Sequence, residues 1–335
     1  MIQRVSIIVP MRNEEARVEE LVADIAAQAF VGEIELLVAD GCSSDRSVER
    51  LRAATERHQV SLTLIENPER LIPHALNACI RRAQGELIVR MDCHSRYPAD
   101  YVARCIATIE KTGAWNVGGR TFPVGESRMQ RAAACATDSP FGGIGWTRLG
   151  TAGDPIDADT VFPGAFRSYV FDRIGLFDES LPRNEDEDLN FRIRRAGGRV
   201  VLDPTIRVSY IPRDSATALF RQYMGYGRGK VDVMWKHHRP MTIRSVIPLG
   251  FVGSLAILGF LSIPSRRARR LLKTELAVYG SCMVGFAVHS IDRRSEPLPI
   301  LPSVAVAFPL MHLGYGVGAL AGICGRAIGR RSTAR

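Results

Sequence analysis

Strand-like and helix-like segments alternate along the first 92 residues, and this alternation limits the folds open to the chain. Four short apolar segments, at 4–10, 33–40, 60–66 and 86–92, have the composition of buried strands. Segments with helical spacing lie between them, at 14–28, at 44–58 after a cap at Ser43 or Ser44, and at 72–84 before Gly85. Because such alternation forms βαβ units, it predicts an α/β fold with a doubly wound, mostly parallel sheet.

Polar residues stand where the predicted strands end, and doubly wound sheets bind their ligands at the carboxyl ends of the strands. A sheet that only supports the fold does not need acids at each of these ends. We therefore predict one ligand crevice, and a Gly-rich segment at 140–160 is predicted to form a flexible loop over it. The predicted crevice residues are Pro10 to Glu14, Asp40 to Asp45, and Asp92 to His94.

Asp92 and His94 are two positions apart, so both side chains can face one ligand. A carboxylate and a neutral imidazole can hold Mn²⁺ or Mg²⁺, and such an ion usually bridges substrate phosphates. The alternative is a structural aspartate that accepts turn hydrogen bonds, beside a surface histidine. The acids at the other strand ends favour the metal site.

Four consecutive acids, Glu185 to Asp188, begin a further predicted helix. Acids at a helix start interact favourably with the helix dipole, which is the simplest explanation. Four acids exceed what a cap needs, and neighbouring carboxylates raise one another's pKa, a property that suits a general base. Further along, Arg221, Arg228 and Lys230, together with Gln222, can neutralise a departing diphosphate, although a solvated basic face is equally natural for any one of these residues.

The last hundred residues differ in composition from the rest. Residues 1–235 hold 30 basic and 32 acidic side chains, whereas residues 236–335 hold 14 and 3. Uncharged runs occupy 246–263, 276–291 and 297–324, with arginines between them. Basic residues between apolar runs favour contact with membrane lipids over nucleic acid. We expect an α/β domain at 1–235 and a helical membrane region at 236–335.

The cysteines and the first residues bear on the cellular compartment. Seven cysteines without paired spacing predict a reducing environment, and the apolar run at 5–9 is too short for a signal peptide. The α/β domain is therefore expected in the cytoplasm. If the run at 246–263 then spans the membrane, the "RRARR" segment lies outside, against the positive-inside rule. Either that run is re-entrant or interfacial, or the rule is violated.

Five segments resemble, in order, the motifs of the inverting glycosyltransferases of family 2, which have the GT-A fold. "VSIIVPMRNEE" resembles the first-strand motif, "VADGCSSDRS" the DDGS-x-D motif, and "MDCH" falls at the D-x-D position. "RIGLFDE" and "NEDEDLNFRIRRAGGRV" resemble the G-x-F-D-E segment and the ED-x-x-L base motif. Within the family, "DCHSRYPADYV", "RQYMGYGRG" and "FPLMHLGYGVG" make the chain similar to the succinoglycan-biosynthesis glucosyltransferase subgroup.

The resemblance implies roles for the predicted residues. Pro10, Asn13, Glu14 and Asp40 would hold the nucleotide, with Asp40 at the uracil edge. Asp92 would contact ribose or a divalent cation, Mn²⁺ or Mg²⁺, with His94 in the place of a metal ligand. Asp186 would be the base that deprotonates the acceptor hydroxyl. The diphosphate and acceptor residues would be Glu185, Gln222 and Arg228.

Two departures from the family pattern shape the expected activity. Gly225 and Tyr226 replace the Arg-Trp that follows Gln222 in processive synthases, which favours the addition of a single sugar. His94 replaces an acid, so the resemblance supports metal dependence less than it supports the nucleotide site. The expected enzyme transfers a hexose, with UDP-glucose as the expected donor, to a polyprenyl-linked saccharide at the inner membrane, for exopolysaccharide or other cell-surface glycan. The alternatives are transfer to polyprenyl phosphate itself, or a non-catalytic membrane scaffold.

Overall fold

The computed structural model describes residues 2–142, 153–238 and 243–328. The chain divides into two compact units, each formed by two separate segments. The first unit comprises Met1–Phe122 and Thr151–Tyr210, and the second comprises Pro123–Gly150 and Ile211–Arg335. The predicted loop at 140–160 falls partly outside the described residues, because 143–152 are not among them.

The first unit follows the predicted alternation of strands and helices. Its elements are β1 (Arg4–Met11), α1 (Val18–Ala26), β2 (Glu33–Asp40), α2 (Ser47–His58), β3 (Ser61–Glu66), α3 (Ile72–Ile80), β4 (Leu87–Arg90), β5 (Ser95–Arg96), α4 (Tyr101–Thr112) and β6 (Asn116–Pro123). The chain then forms α5 (Arg128–Asp138) of the second unit. It returns to the first unit with β7 (Ile156–Asp157), β8 (Gly164–Arg167), α6 (Tyr169–Ile174), α7 (Glu185–Arg195) and β9 (Val200–Tyr210).

One mixed sheet organises the first unit. Among the described residues the strand order is β3-β2-β1-β4-β8-β6-β9-β5, with β7 paired to β9. The neighbours from β3 to β4 are parallel, whereas β8 runs antiparallel to both β4 and β6. The predicted α/β fold is confirmed, and the antiparallel part of the sheet begins beside β4, which lies between β1 and β8.

Both faces of this sheet are buried, which is why its strands read as continuous apolar runs. Val5, Ile7 and Val9 of β1 pack in a cluster with residues of α1, α2 and α4. Ile8 points to the opposite face, where it packs in a cluster with residues of α3, α6 and α7. The unit therefore has three layers, and the carboxyl ends of β1, β2 and β4 meet at one edge of the sheet.

Two predicted helix ends are wrong. Helix α2 begins at Ser47 with Arg46 in the N-cap position, and not after Ser43 or Ser44. Helix α3 ends at Ile80, before Gly85. Gly85 instead allows a close approach to β1, because a Cβ there would lie 2.5 Å from the backbone nitrogen of Ser6.

The second unit is helical and includes the apolar tail. After α5 it contains α8 (Ala216–His237), α9 (Ile243–Leu261), α10 (Arg266–Arg293) and α11 (Leu301–Ala327). Its buried cluster joins residues of α5, α8, α10 and α11, among them Cys135, Leu219, Ala287 and Phe308. Two segments, Arg266–Arg293 and Leu298–Ala327, are long and apolar enough to cross a membrane, whereas Ser245–Leu261 is shorter.

Glycines bring α8 and α11 close together. A Cβ on Gly314 would lie 2.7 Å from the carbonyl oxygen of Phe220, and Cβ atoms on Gly227 or Gly318 would overlap the backbone of the facing helix. Small residues permit this approach between helix backbones. Because α8 packs on the tail in this way, the division into units does not coincide with the predicted boundary at residue 235.

Candidate active site

The loops after β1 and β2 are joined by hydrogen bonds from their own side chains. The Asn13 backbone N–H donates to Ser43 Oγ at 2.9 Å, and the Ser44 N–H donates to Asn13 Oδ1 at 2.8 Å. Asp40 accepts hydrogen bonds from the hydroxyl and the backbone N–H of Ser43, at 2.5 and 3.0 Å. Asn13 has a φ of 54°, a left-handed conformation that asparagine tolerates. Asn13 and Asp40 thus hold the two predicted nucleotide-binding loops in a fixed arrangement.

The end of β4 lies beside the end of β1. His94 Nδ1 is 3.2 Å from Glu14 Oε2, and this pair joins the two predicted sets of crevice residues. The backbone N–H of Asp92 donates to the hydroxyl oxygen of the buried Tyr97 at 2.8 Å, which fixes the turn that carries Asp92 and His94. Pro10 lies in β1, in register with Ala39 and one position before the Met11–Asp40 pair.

A buried arginine joins the end of β4 to the start of α7. The Arg90 side chain is only 4% exposed, and its Nη1 lies 2.9 Å from Glu185 Oε1. Its Nε and Nη2 are 3.2 and 3.3 Å from the two oxygens of Asp92. Its guanidinium also lies over the ring of Phe162, at 4.7 Å from the ring centroid. Arg90 is therefore the physical link between Asp92 and the acidic cluster.

The four acids of the α7 start have different partners. Glu187 accepts a hydrogen bond from Asn184 Nδ2 at 3.1 Å, and the buried Asp188 pairs with Arg192 at 2.9 Å. Glu185 is buried against Arg90. Three of the acids thus take part in holding the helix start, which explains why the cluster is larger than a cap requires. Asp186 is the half-buried fourth member.

Asp186 has the perturbed carboxyl group of this site. Burial raises the pKa of Asp186 to about 7, and the charge of Glu185 adds to this increase while Arg90 opposes it. A carboxylate with a pKa near neutrality can accept a proton from a hydroxyl group and release it again. The predicted increase is present, although burial contributes more than the neighbouring acids do.

Gln222 and Arg228 lie on α8, in the second unit. Gln222 is buried and donates from Nε2 to the hydroxyl of Tyr226 at 3.0 Å, whereas Arg228 is exposed. The other predicted site residues belong to the first unit. A role for Gln222 and Arg228 at the diphosphate or the acceptor stays a prediction.

The donors at the end of β4 fit a cation that is shared with a substrate. Asp92 supplies a carboxylate and His94 an imidazole, whose Nδ1 lies 3.2 Å from Glu14 Oε2. Within 2–142, 153–238 and 243–328 no group of three or more such side chains forms a complete metal site. Mg²⁺ is commonly bound by one or two carboxylates together with substrate phosphates, and this donor set matches that arrangement.

Comparison with known proteins identifies the family. The model of the family described as "Glycosyl transferase family 2" matches residues 6–152. The succinoglycan biosynthesis protein ExoA of Rhizobium meliloti is 31% identical over 323 residues, which cover 93% of this chain and 92% of the relative. The chain belongs to glycosyl transferase family 2. This glycosyltransferase is also 23% identical over 292 residues to the dolichyl N-acetyl-alpha-D-glucosaminyl phosphate 3-beta-D-2,3-diacetamido-2,3-dideoxy-beta-D-glucuronosyltransferase of Methanococcus voltae. That alignment covers 82% of this chain and 90% of the relative.

Solved structures support the same GT-A architecture for this family 2 glycosyltransferase. The mannosyltransferase PcManGT from Pyrobaculum calidifontis, in complex with GDP-Man and Mn²⁺, superposes with a TM-score of 0.65. The superposition covers 96% of this chain and 87% of PcManGT at 21% identity. S. aureus TarS 1-349 gives a TM-score of 0.50 at 14% identity, with 96% of this chain and 92% of that chain covered.

Sequence reasoning about this glycosyltransferase missed Arg90. The residue stands in the run Leu87–Met91, which the apolar pattern assigns to a buried strand. A charged side chain in such a strand needs a buried counter-charge, and this requirement could have pointed to Arg90 as a residue with a buried acidic partner. The partner, Glu185, lies 95 residues away in the chain. Ser43 donates to Asp40, and Phe162 lies beneath the guanidinium of Arg90. The sequence gives no comparable indication of either contact.

Proposed function

We propose that this family 2 glycosyltransferase moves one hexose from a nucleotide-diphosphate sugar to a polyprenyl-linked saccharide, with inversion at the anomeric carbon. The observation that carries the proposal is the link through Arg90, which sets Asp186 beside the strand end that holds Asp92. A base and a nucleotide-diphosphate site must lie side by side for this reaction. Glucose is the proposed hexose and UDP-glucose the proposed donor, as in the subgroup that the motifs resemble.

In this reaction Asp186 takes the proton of an acceptor hydroxyl while that oxygen attacks the anomeric carbon. The bond from the anomeric carbon to the phosphate oxygen breaks, and the nucleoside diphosphate leaves with the bonding electrons. A single displacement of this kind inverts the anomeric carbon. With a pKa of about 7, Asp186 is substantially ionised at neutral pH and still basic enough to hold the proton.

The ends of β1, β2 and β4 are proposed to hold the donor. Asp40 and Asn13 fix the loops around the nucleotide, and Pro10 and Glu14 line the same edge of the sheet. Asp92 and His94 would hold Mn²⁺ or Mg²⁺ together with the diphosphate. When bound, the cation supplies charge stabilisation to the leaving diphosphate.

The acceptor is proposed to be lipid-linked, at the plasma membrane and on its cytoplasmic side. Two helices of the second unit are apolar enough for a bilayer, and the relatives named for succinoglycan and dolichyl phosphate sugars act in glycan assembly. The membrane segments would hold the enzyme where such an acceptor resides. Glu185, Gln222 and Arg228 are proposed to contribute at the diphosphate or the acceptor.

A donor screen tests this function. Membranes that carry the protein are supplied with radiolabelled nucleotide sugars and a lipid extract, with Mn²⁺, with Mg²⁺, or with a chelator. We expect one donor to label a lipid-linked saccharide, and chelation to reduce the labelling. The Asp186→Asn variant should lose at least a hundredfold in kcat, as general-base catalysis typically contributes about 10²–10⁴-fold. Glu187→Gln, on the same helix start, is the control and should stay active.

The same screen separates the alternatives. If no donor is consumed with any lipid extract, or if Asp186→Asn leaves polysaccharide output unchanged, the chain acts as a scaffold. Transfer to polyprenyl phosphate itself is tested in a separate arm of the screen. Several relatives that match roughly a third of the chain at about 29% identity are named undecaprenyl-phosphate 4-deoxy-4-formamido-L-arabinose transferases. Labelling of bare polyprenyl phosphate by the purified protein would assign the enzyme to that acceptor class.

A further inference from the structure

The turn between α9 and α10 exposes a surface that the proposed chemistry does not use. Phe260, Ile263 and Leu271 are 74%, 76% and 59% exposed there. Five exposed cations lie in the same stretch of chain, and four of them, all except Arg269, belong to this surface. We call these seven residues, Phe260, Ile263, Arg266, Arg267, Arg270, Leu271 and Lys273, the α9–α10 corner.

Among the residues that the structure describes, internal contacts do not account for the cations of the α9–α10 corner. The sequence contains no acidic residue between Asp232 and Glu275, and Glu275 accepts a hydrogen bond from Ser254. The neighbouring Arg269 does have an internal role, because it donates to the carbonyl oxygens of Ser262 and Ile263 at 3.0 and 3.4 Å. These hydrogen bonds satisfy carbonyl oxygens just after the C-terminal end of α9.

Helix stability does not account for them either. The cations occupy the first turns of α10, where the helix dipole presents partial positive charge and favours acidic side chains. Clustered arginines at this position repel one another and the dipole. The arrangement therefore raises the free energy of the isolated protein, and negative charge from outside would lower it.

We propose that the α9–α10 corner binds the headgroups of anionic phospholipids in one leaflet of the bilayer. Guanidinium groups pair with phosphates through parallel hydrogen bonds, and each basic residue near an anionic membrane adds to the attraction. Phe260, Ile263 and Leu271 enter the acyl region beneath the headgroups. Arginine and lysine side chains extend to the headgroups while their apolar stems cover the boundary.

The burial of α10 favours a bilayer over an acidic protein or a nucleic acid. Only 6% of its most apolar 18-residue window is buried within the protein, whereas the corresponding share for Leu298–Ala327 is 44%. Helix α10 thus presents an apolar surface along its length, and the cations directly precede its uncharged run at 276–291. A nucleic acid would neutralise the cations but leave Phe260 and Ile263 in water.

Lipid selectivity in reconstituted full-length protein tests the proposal. Spin-labelled phosphatidylglycerol and phosphatidylcholine are compared for the fraction that is immobilised at the protein surface. We expect the wild type to prefer phosphatidylglycerol, and this preference to weaken as ionic strength rises. In R266Q/R267Q/R270Q/K273Q the ratio of the two immobilised fractions should fall to about one, because the charge attraction is removed.

Two further variants make the result specific. R52Q/R57Q/R82Q/R104Q removes the same number of exposed cations from the first unit and should keep the wild-type ratio. R266K/R267K/R270K keeps the charge and should retain most of the preference. A wild type without preference, an unchanged ratio in the corner variant, or an equal loss in the first-unit variant would overturn the proposal. Sugar transfer measured in detergent reports on the proposed function separately, since lipid preference does not depend on catalysis.

Discussion

Asp186 and Glu185 lie side by side in sequence but differ in environment, and the difference predicts a pH profile. The base must be ionised, so kcat should rise with pH through about 7, the pKa to which burial and Glu185 raise the Asp186 carboxyl group. Glu185→Gln removes the repulsive charge and keeps Arg90, so the pKa of Asp186 falls and the rising limb moves to lower pH. Initial rates at saturating donor between pH 5 and pH 9 measure the shift. A limb that stays in place would show that another group controls the profile.

The same carboxyl group predicts how stability depends on pH. Its folded pKa lies above the ordinary value of 3.8, so the native protein binds this proton more tightly than the unfolded chain does. Asp186 therefore lowers the free energy of unfolding progressively as pH rises from about 4 to about 7. Asp186→Asn should raise the thermal unfolding temperature at pH 8 and have a smaller effect at pH 5. Equal shifts at both pH values would contradict a raised pKa.

Arg90 predicts a large loss of stability from one substitution. Arg90→Gln leaves Glu185 and Asp92 without their counter-charge, and removal of one partner from a buried ion pair typically costs about 3–5 kcal/mol. Arg57→Gln is the control. That side chain is 63% exposed where it pairs with Glu19, which is itself 44% exposed, so the loss should be about 1 kcal/mol or less. Thermal unfolding followed by tryptophan fluorescence compares the two variants, and similar losses would argue against a buried link.

For single residues, the sequence predicted which side chains lie at the strand ends but not which side chains they contact. Parallel strands place their carboxyl ends at one edge, so the proximity of Glu14 and His94 follows from the alternation alone. The contact of Arg90 with Glu185 depends on where α7 packs after an intervening segment of the other unit. No local pattern encodes that position.

Among the elements, the crossing of α8 and α11 predicts a sharp difference between glycines. Gly318→Ala places a Cβ against the Met224 backbone of α8, and overpacking of this kind costs about 1–3 kcal/mol. A Cβ from Gly280→Ala on α10 lies within 4 Å of no described atom beyond its chain neighbours and the adjoining helix backbone, and the change should be neutral or slightly stabilising, as alanine favours helix. Thermal unfolding in detergent measures both. A similar loss for the two variants would mean that α8 and α11 do not pack this closely.

Periodicity predicted most of the elements of the first unit and placed their ends less well. Helix α2 begins later than predicted because Ser43 does not cap it. The Ser43 hydroxyl instead donates to Asp40 and accepts from the Asn13 N–H. For α8 the amphipathic pattern was visible, but its partner was not. Glycine spacing on α11 becomes informative only when the facing helix is known.

At the scale of the whole molecule, the two units predict the effect of truncation. A chain that ends after Trp235 keeps the segment that the sequence assigned to the α/β domain, but it removes the α11 residues that pack with Leu219 and Tyr223. We expect this chain to aggregate or to lose α5 and α8 to proteolysis, while the sheet of the first unit stays protected. Limited proteolysis with mass spectrometry checks this. A soluble, fully protected fragment would place the boundary at residue 235 after all.

The two-segment construction of the second unit also has a consequence during synthesis. Helix α5 begins at Arg128 and its core partner α11 at Leu301, with the last strands of the first unit between them. At elongation rates of about 5–20 residues per second, α5 leaves the ribosome roughly 9 to 35 seconds before α11. During that interval Ala132, Cys135 and Ala136 lack the α11 residues of their buried cluster. The first unit is therefore fully synthesised before the second unit is complete, and the elongation rate sets how long the second unit stays incomplete and accessible to chaperones.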